Sequence, residues 1–350
     1  MKLKVRAVIF DMDGTILNSV EPYYKVVVET FKRLGLPPAP REKVLEVMGQ
    51  GRSPWESLVP EELEGREEVL EECRRLGEEL IGELFPKELE LIDGSREVLR
   101  GLKESGFLTG IATSSWGVIS VQFLQRRGLL GYLDAIVTGR EVAEGKPAPD
   151  LILECLKRMG ASTQEAVYVG DSPVDIRAGK AAKVRTVGVL TGTSDYDTLL
   201  KEGPDLIIDH VRELVKVLKP FKEVRIRGVI YSDLGRAASF TQLDWVREEF
   251  KGKLGIDPYP GTLNLMVNEP GLLKELRKIR KSPGIETTPQ EGFCTAKAFQ
   301  VLIEGKVRGA IIIPLVPDYP LEKLEIIAPV KIKEALGVKD GQTINLTVYL

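Results

Sequence analysis

One histidine, three cysteines and no long apolar run set the first limits on this 350-residue chain. The single histidine, His210, lies in an acidic connector. That excludes multi-histidine metal sites and argues against Ser-His-Asp catalysis. Cys73, Cys155 and Cys294 are far apart and form no C-x-x-C pair. Neither a disulfide framework nor a zinc site is expected, and a reducing, cytoplasmic setting fits. No stretch approaches the ~20 apolar residues that span a bilayer, and no long apolar leader core opens the chain. Asn and Gln are sparse beside Lys, Arg and Glu, a composition met in heat-adapted proteins. Charged residues make up 29% but nearly cancel, at a net -3, so neither a nucleic-acid nor a membrane footprint is expected. Residues 219–350 lean basic and the rest leans acidic, a hint that the second part handles something anionic. Chemistry is left to carboxylates, lysine, hydroxyls and oxygen-bound metal.

With 43% apolar residues the chain is expected to fill two domains or three. The first is organised around residues 7–15, AVIFDMDGT. Four apolar residues read as a buried parallel strand. Asp11 and Asp13 follow at i and i+2, so both carboxylates point the same way. Gly14 permits a tight turn and Thr15 can cap the next element. Two like charges that close repel, unless a divalent cation sits between them or one is a nucleophile while the other handles a proton. A helical insertion, about 17–92, comes next, with helices expected at 23–34, 42–48 and 61–84 and no strand. Strands are then expected at 107–112, 135–137, 166–169, 186–190 and 206–208. Helices at 95–104, 117–127, 149–159 and 174–182 lie between them. That alternation implies an α/β doubly wound parallel sheet, with ligands at the carboxyl ends of its strands. Thr113, Ser114 and Ser115 close the strand at 107–112. Asp171 and Asp175 come after the strand at 166–169, and Lys146 lies in a loop after 135–137.

DMDGT, Thr113, Lys146-Pro147 and GDSPVD in this order resemble the haloacid dehalogenase superfamily, in its phosphoglycolate phosphatase and β-phosphoglucomutase-like branch with a helical cap. The resemblance covers residues 1–218. It implies Asp11 as the nucleophile that forms an aspartyl-phosphate and Asp13 as general acid/base. It implies Thr113 on a phosphoryl oxygen, with Ser114 and Ser115 beside the substrate, and Lys146 balancing charge. Asp11, Asp13, Asp171 and Asp175 would make a Mg2+ site. Arg52, in the cap loop 49–53, is expected to touch substrate. Asn18 stands where many relatives carry aspartate.

Near Lys219-Pro220 the alternation stops and short strands dominate, so residues 221–350 read as a small β-barrel. The run PYPGTLNL, 258–265, pairs a Pro-Gly turn with Thr262 and Asn264, two short oxygen side chains on one strand face. They could hold Mg2+ already on nucleotide phosphates, or simply face solvent. LG after the first strand, PYPGTLNL, EGF, LEIIAPVKIKE and DGQTINLTV resemble the archaeal CTP-dependent riboflavin kinase. That implies Mg2+ on Thr262 and Asn264, and Glu325 activating the ribityl hydroxyl. It implies cytidine nucleotide held by Asp233, Leu234, Gly235, Arg236, Ala237 and Ala238 and by Val330, Lys331, Ile332 and Lys333. Asp233 replaces a glycine of the family's first loop, and Asp318 replaces a threonine beside the substrate.

Together these resemblances imply a bifunctional flavin-pathway enzyme that removes phosphate from a metabolite and makes FMN from riboflavin and CTP. The phosphatase substrate would be 5-amino-6-ribitylamino-uracil phosphate, with FMN next. Two alternatives stand beside it: a general phosphatase, for example of phosphoglycolate, and a barrel that binds flavin or nucleotide without turnover.

Overall fold

The apolar tetrad Ala7–Phe10 forms β1, fully buried between two neighbours. The computed structural model describes residues 2–49, 53–115, 118–232 and 237–350, in two units, Met1–Pro220 and Phe221–Leu350. In the first unit the sheet continues with β2 (Leu108–Thr113), β3 (Ala135–Thr138), β4 (Ala166–Gly170), β5 (Arg185–Val189) and β6 (Leu206–Ile208). The order is β3-β2-β1-β4-β5-β6, all parallel. The order reverses at β1, so the crevice for a ligand opens where β1, β2 and β4 end. Alternation feeds two cores. Val8 and Phe10 join one, and Ala7 and Ile9 the other.

The cap comprises helices Val20–Arg33, Arg41–Gly49, Pro54–Leu58 and Arg66–Glu88. Two expectations are corrected here. A two-residue antiparallel ladder, Leu17–Asn18 with Glu90–Leu91, joins cap to sheet, too short to leave a strand pattern in the sequence. Residues 54–88 form two helices, Pro54–Leu58 and Arg66–Glu88, and the second is the one expected at 61–84, starting five residues later. Gly65 caps the second in the left-handed region at φ 68°, a conformation glycine adopts without a Cβ penalty. The long helix carries ion pairs such as Arg75 with Glu72 and Glu79 along its exposed face.

The second unit is a closed antiparallel barrel of β7 (Glu223–Tyr231), β8 (Leu263–Met266), β9 (Ala296–Ile303), β10 (Val307–Pro314), β11 (Lys323–Ile327) and β12 (Thr343–Tyr349). The order is β9-β10-β11-β8-β7-β12, and β12 pairs back with β9. Leu263, Leu265, Leu324 and Ile326 pack into one core. Ile312 and Ile327 instead join Val246, Phe250 and Leu254 in a second cluster. Those three come from a helix, Asp244–Leu254, that the strand-dominated expectation missed, as it missed Pro270–Lys281. The burial of residues 246, 250 and 254 at i, i+4 and i+8 is a helical stripe. Strand β9 was also not anticipated.

Candidate active sites

The ends of β1, β2 and β4, with the loop after β3, bring five predicted side chains together. Asp11 comes directly after β1, and its N–H donates to Val169 O at 2.8 Å. Lys146 is buried between two carboxylates, its Nζ 2.5 Å from Asp11 Oδ1 and 2.6 Å from Asp175 Oδ1. The GDSPVD spacing has a local cause. Asp175 is the third residue of helix Pro173–Ala181, and its Oδ2 accepts from Ser172 N and Oγ at 3.0 and 2.5 Å. This is a capping box, which leaves Oδ1 for the lysine. Asp171 Oδ2 accepts from Thr193 N at 2.8 Å and Thr193 Oγ1 at 3.0 Å. Thr113 is buried and its Oγ1 accepts from Ser115 N at 3.1 Å.

Asp11, Asp171 and Asp175 each place a carboxylate oxygen within 4.8 Å of the others'. Burial drives Asp11 well above the usual carboxylate range, against the pull of Lys146, and the neighbouring carboxylates add to the rise. Burial, then Asp175, pushes Asp171 up to about 7. Burial alone would lower Lys146, but Asp11 and Asp175 outweigh it and raise it well above the ordinary lysine value. Three buried carboxylates against one ammonium form a hard-oxygen set with excess negative charge. It fits a divalent cation such as Mg2+. The Asp13 carboxylate stands outside this trio. It faces the hydroxyls of Ser19 and Thr113, which favour its charged form, while burial raises it.

The raised acids fix the sign of a pH effect. Unfolded, they titrate near 3.8. Folded, they hold protons to higher pH, so between those values the native state binds more protons. Metal-free stability is then full below about pH 4 and falls as pH rises through about 7. The first unit should melt at least about 3 °C lower at pH 8 than at pH 5 without metal. Mg2+ should close most of that gap, acting far less at pH 5. Calorimetry in EDTA and in Mg2+ checks this.

Sequence reasoning missed the loop after β5. A Cβ on Gly192 would lie 2.0 Å from Asp171 Oδ2. Gly192→Ala must therefore move that carboxylate, and Mg2+ affinity should drop about tenfold or more. Gly101→Ala, where the nearest atom is 3.9 Å away, should leave titrations of Mg2+ unchanged. Tyr23, from the cap, was also missed. Burial and the Asp13 charge push its phenol up to about 12.

In the barrel, register lays Tyr231, Asn264, Glu325 and Ile312 side by side across β7, β8, β11 and β10. All four line a cavity of about 490 Å³, with Thr262, Ala238 and Lys333. Thr262 Oγ1 donates to Asn264 Oδ1 at 3.2 Å. These adjacent neutral oxygens suit an ion carried on nucleotide phosphates. Lys333 Nζ lies 2.7 Å from Asp340 Oδ1 and 3.2 Å from Ser232 Oγ. An aromatic wall was not anticipated. Phe240 and Trp245 line the cavity, their ring centroids 5.9 Å apart, and Phe293 sits 5.0 Å from Trp245.

Other expected residues are not gathered. The Ile332 side chain is buried in the barrel core, so only its backbone could meet a nucleotide. Val330 and Lys331 lie outside the cavity lining, Lys331 pairing with Glu334 at 2.5 Å. Asp318, at φ 58°, is also absent from the lining. Ser114 is exposed; its Oγ accepts from Lys146 N at 3.4 Å. Arg52, Asp233, Leu234, Gly235 and Arg236, with the Ala237 side chain, lie outside the described residues.

Comparison with known proteins decides the lineage. The haloacid dehalogenase-like hydrolase family matches residues 8–189. A second family, labelled CTP-dep_RFKase and described as domain of unknown function DUF120, matches residues 230–348. A riboflavin kinase of Archaeoglobus fulgidus is 31% identical over 198 residues, 54% of this chain and 84% of that one. The chain is a haloacid dehalogenase-like hydrolase fused to a riboflavin kinase domain. The hydrolase part is 30% identical to a phosphoglycolate phosphatase of Aquifex aeolicus over 217 residues, 61% of this chain and 97% of that one. A hydrolase from Pseudomonas syringae, 25% identical, superposes with a TM-score of 0.51 over 60% of this chain and 96% of its own. Both halves are thus enzyme domains, a phosphatase and a kinase. The doubly wound sheet with its cap and the β-barrel agree with the fold expected from the sequence. Among the described residues no helix is long and apolar enough to cross a membrane.

Proposed function

We propose that the chain is a bifunctional flavin-pathway enzyme, hydrolysing a phosphomonoester in its first domain and phosphorylating riboflavin with CTP in its second. The observation that carries the first activity is the buried Lys146 bridging Asp11 and Asp175. Asp11 attacks phosphorus in line and becomes an aspartyl-phosphate. Lys146 and the Thr113 hydroxyl balance and orient the phosphoryl oxygens. Asp13, raised by burial, holds a proton for the leaving oxygen and then takes one from the water that hydrolyses the intermediate. Mg2+ held by Asp11, Asp171 and Asp175 would neutralise charge spreading over the phosphoryl group. The cap screens the site from water.

In the barrel, Glu325 takes the proton of the ribityl hydroxyl. Thr262 and Asn264 would hold the Mg2+ of the nucleotide, and Lys333 its phosphates. The aromatic wall of Phe240 and Trp245 suits a planar ring system. The second reading, a barrel that binds flavin without turnover, draws on Lys323 Nζ, 3.0 Å from Glu325 Oε1, and Tyr319 OH on the same oxygen, because both occupy an oxygen that a base would need free. Incubating the full chain carrying Asp11→Asn with riboflavin, CTP and Mg2+ separates the two. FMN above blank supports the kinase, and tight flavin binding without FMN supports the binder. A screen of small phosphate esters on the wild-type chain tests the hydrolase. Release from the ribitylamino-uracil phosphate supports the pathway reading, and preference for phosphoglycolate would replace it with a general phosphatase.

A further inference from the structure

The barrel cavity contains a charged pair that those roles use only in part. Lys323 and Glu325 are two residues apart on β11, so alternation turns both to the same face, and both line the cavity. Lys323 Nζ lies 3.0 Å from Glu325 Oε1, and Tyr319 OH donates to the same oxygen at 2.8 Å. Register sets Glu325 beside Asn264, whose amide oxygen meets the Thr262 hydroxyl. The ammonium therefore stands beside the point where a hydroxyl, a base and a nucleotide-borne ion would converge.

We propose that Lys323 is the cation that receives the phosphate of the flavin product: it pairs with Glu325 before transfer and passes to the new phosphomonoester afterwards. This rests on the kinase reading with Glu325 as base. In that step the ribityl hydroxyl proton moves to Glu325, and the ribityl oxygen bonds the γ-phosphorus of CTP. The bond from that phosphorus to the β,γ-bridging oxygen breaks, and CDP leaves with the electron pair. Protonated Glu325 is neutral, so its hold on the ammonium weakens just as an anionic phosphate forms nearby. Lys333 faces no such change, because Asp340 remains its counter-ion.

The test compares FMN and riboflavin binding, read by flavin fluorescence, in the full chain carrying Asp11→Asn so that the hydrolase cannot consume FMN. Adding Lys323→Met should weaken FMN about tenfold or more and riboflavin by less than about threefold. Lys323→Arg should recover most of the FMN affinity. Equal losses for both flavins, or unchanged FMN affinity, would overturn the assignment. Because the readout is a ratio within one variant, a general loosening of the cavity moves both terms and counts against the proposal. If Lys323→Met does not fold, Lys323→Gln carries the same comparison. Should the parent chain make no FMN at all, the kinase reading fails, while the FMN-to-riboflavin ratio still decides the role of Lys323.

Discussion

Asp11→Asn should lower phosphate release by at least about 10⁴-fold, because it removes the attacking oxygen itself and no other group replaces it. The variant should also separate chemistry from folding. Asp11 is one of three buried carboxylates crowded within 4.8 Å, and the neutral amide relieves their repulsion. At pH 8 without metal, the first unit should melt at or above the wild-type temperature even though activity is gone. A loss of activity accompanied by a large fall in melting temperature would instead mark Asp11 as structural. FMN formation by the barrel should be unaffected, since among the described residues the cavity lining runs from Tyr231 to Lys333.

Glu325→Gln is the corresponding experiment in the second unit. The amide keeps the volume and can still accept from Tyr319, whose hydroxyl lies 2.8 Å from Oε1. It cannot accept the ribityl proton at neutral pH. FMN formation should fall about 10²–10⁴-fold, the usual contribution of a positioned base. Riboflavin and CTP binding should stay within about threefold. A fall in binding as large as the fall in turnover would make Glu325 a binding residue only.

Much of the first site is legible in the sequence because its parts sit at strand ends. A central parallel strand is apolar on both faces, so Ala7–Phe10 stands out, and the residues just past the end of such a strand face the crevice. Asp11, Asp171, Asp175 and Lys146 could be found in this way. Thr193 and Gly192 could not. They hold Asp171 from a loop with no motif, and only the packing distance shows why glycine is required there. In the barrel, PYPGTLNL marked Thr262 and Asn264, but the wall opposite them belongs to Asp244–Leu254, whose helical stripe is hidden in a region dominated by short strands. Ile332 shows the converse. It lies in a recognisable run, yet it opens a short helix, Ile332–Leu336, and its side chain takes that helix's buried face. Lys323 is an ordinary lysine until strand register places it beside Glu325.

The most direct measurement is an acid quench of the wild-type chain during turnover of a ³²P-labelled phosphate ester, with peptide mapping of the quenched protein. Label should reside, alkali-labile, on the peptide that contains Asp11, and be missing from Asp11→Asn. Rapid turnover with no label on the protein, or label on another residue, would contradict a phosphoryl group carried by that carboxylate.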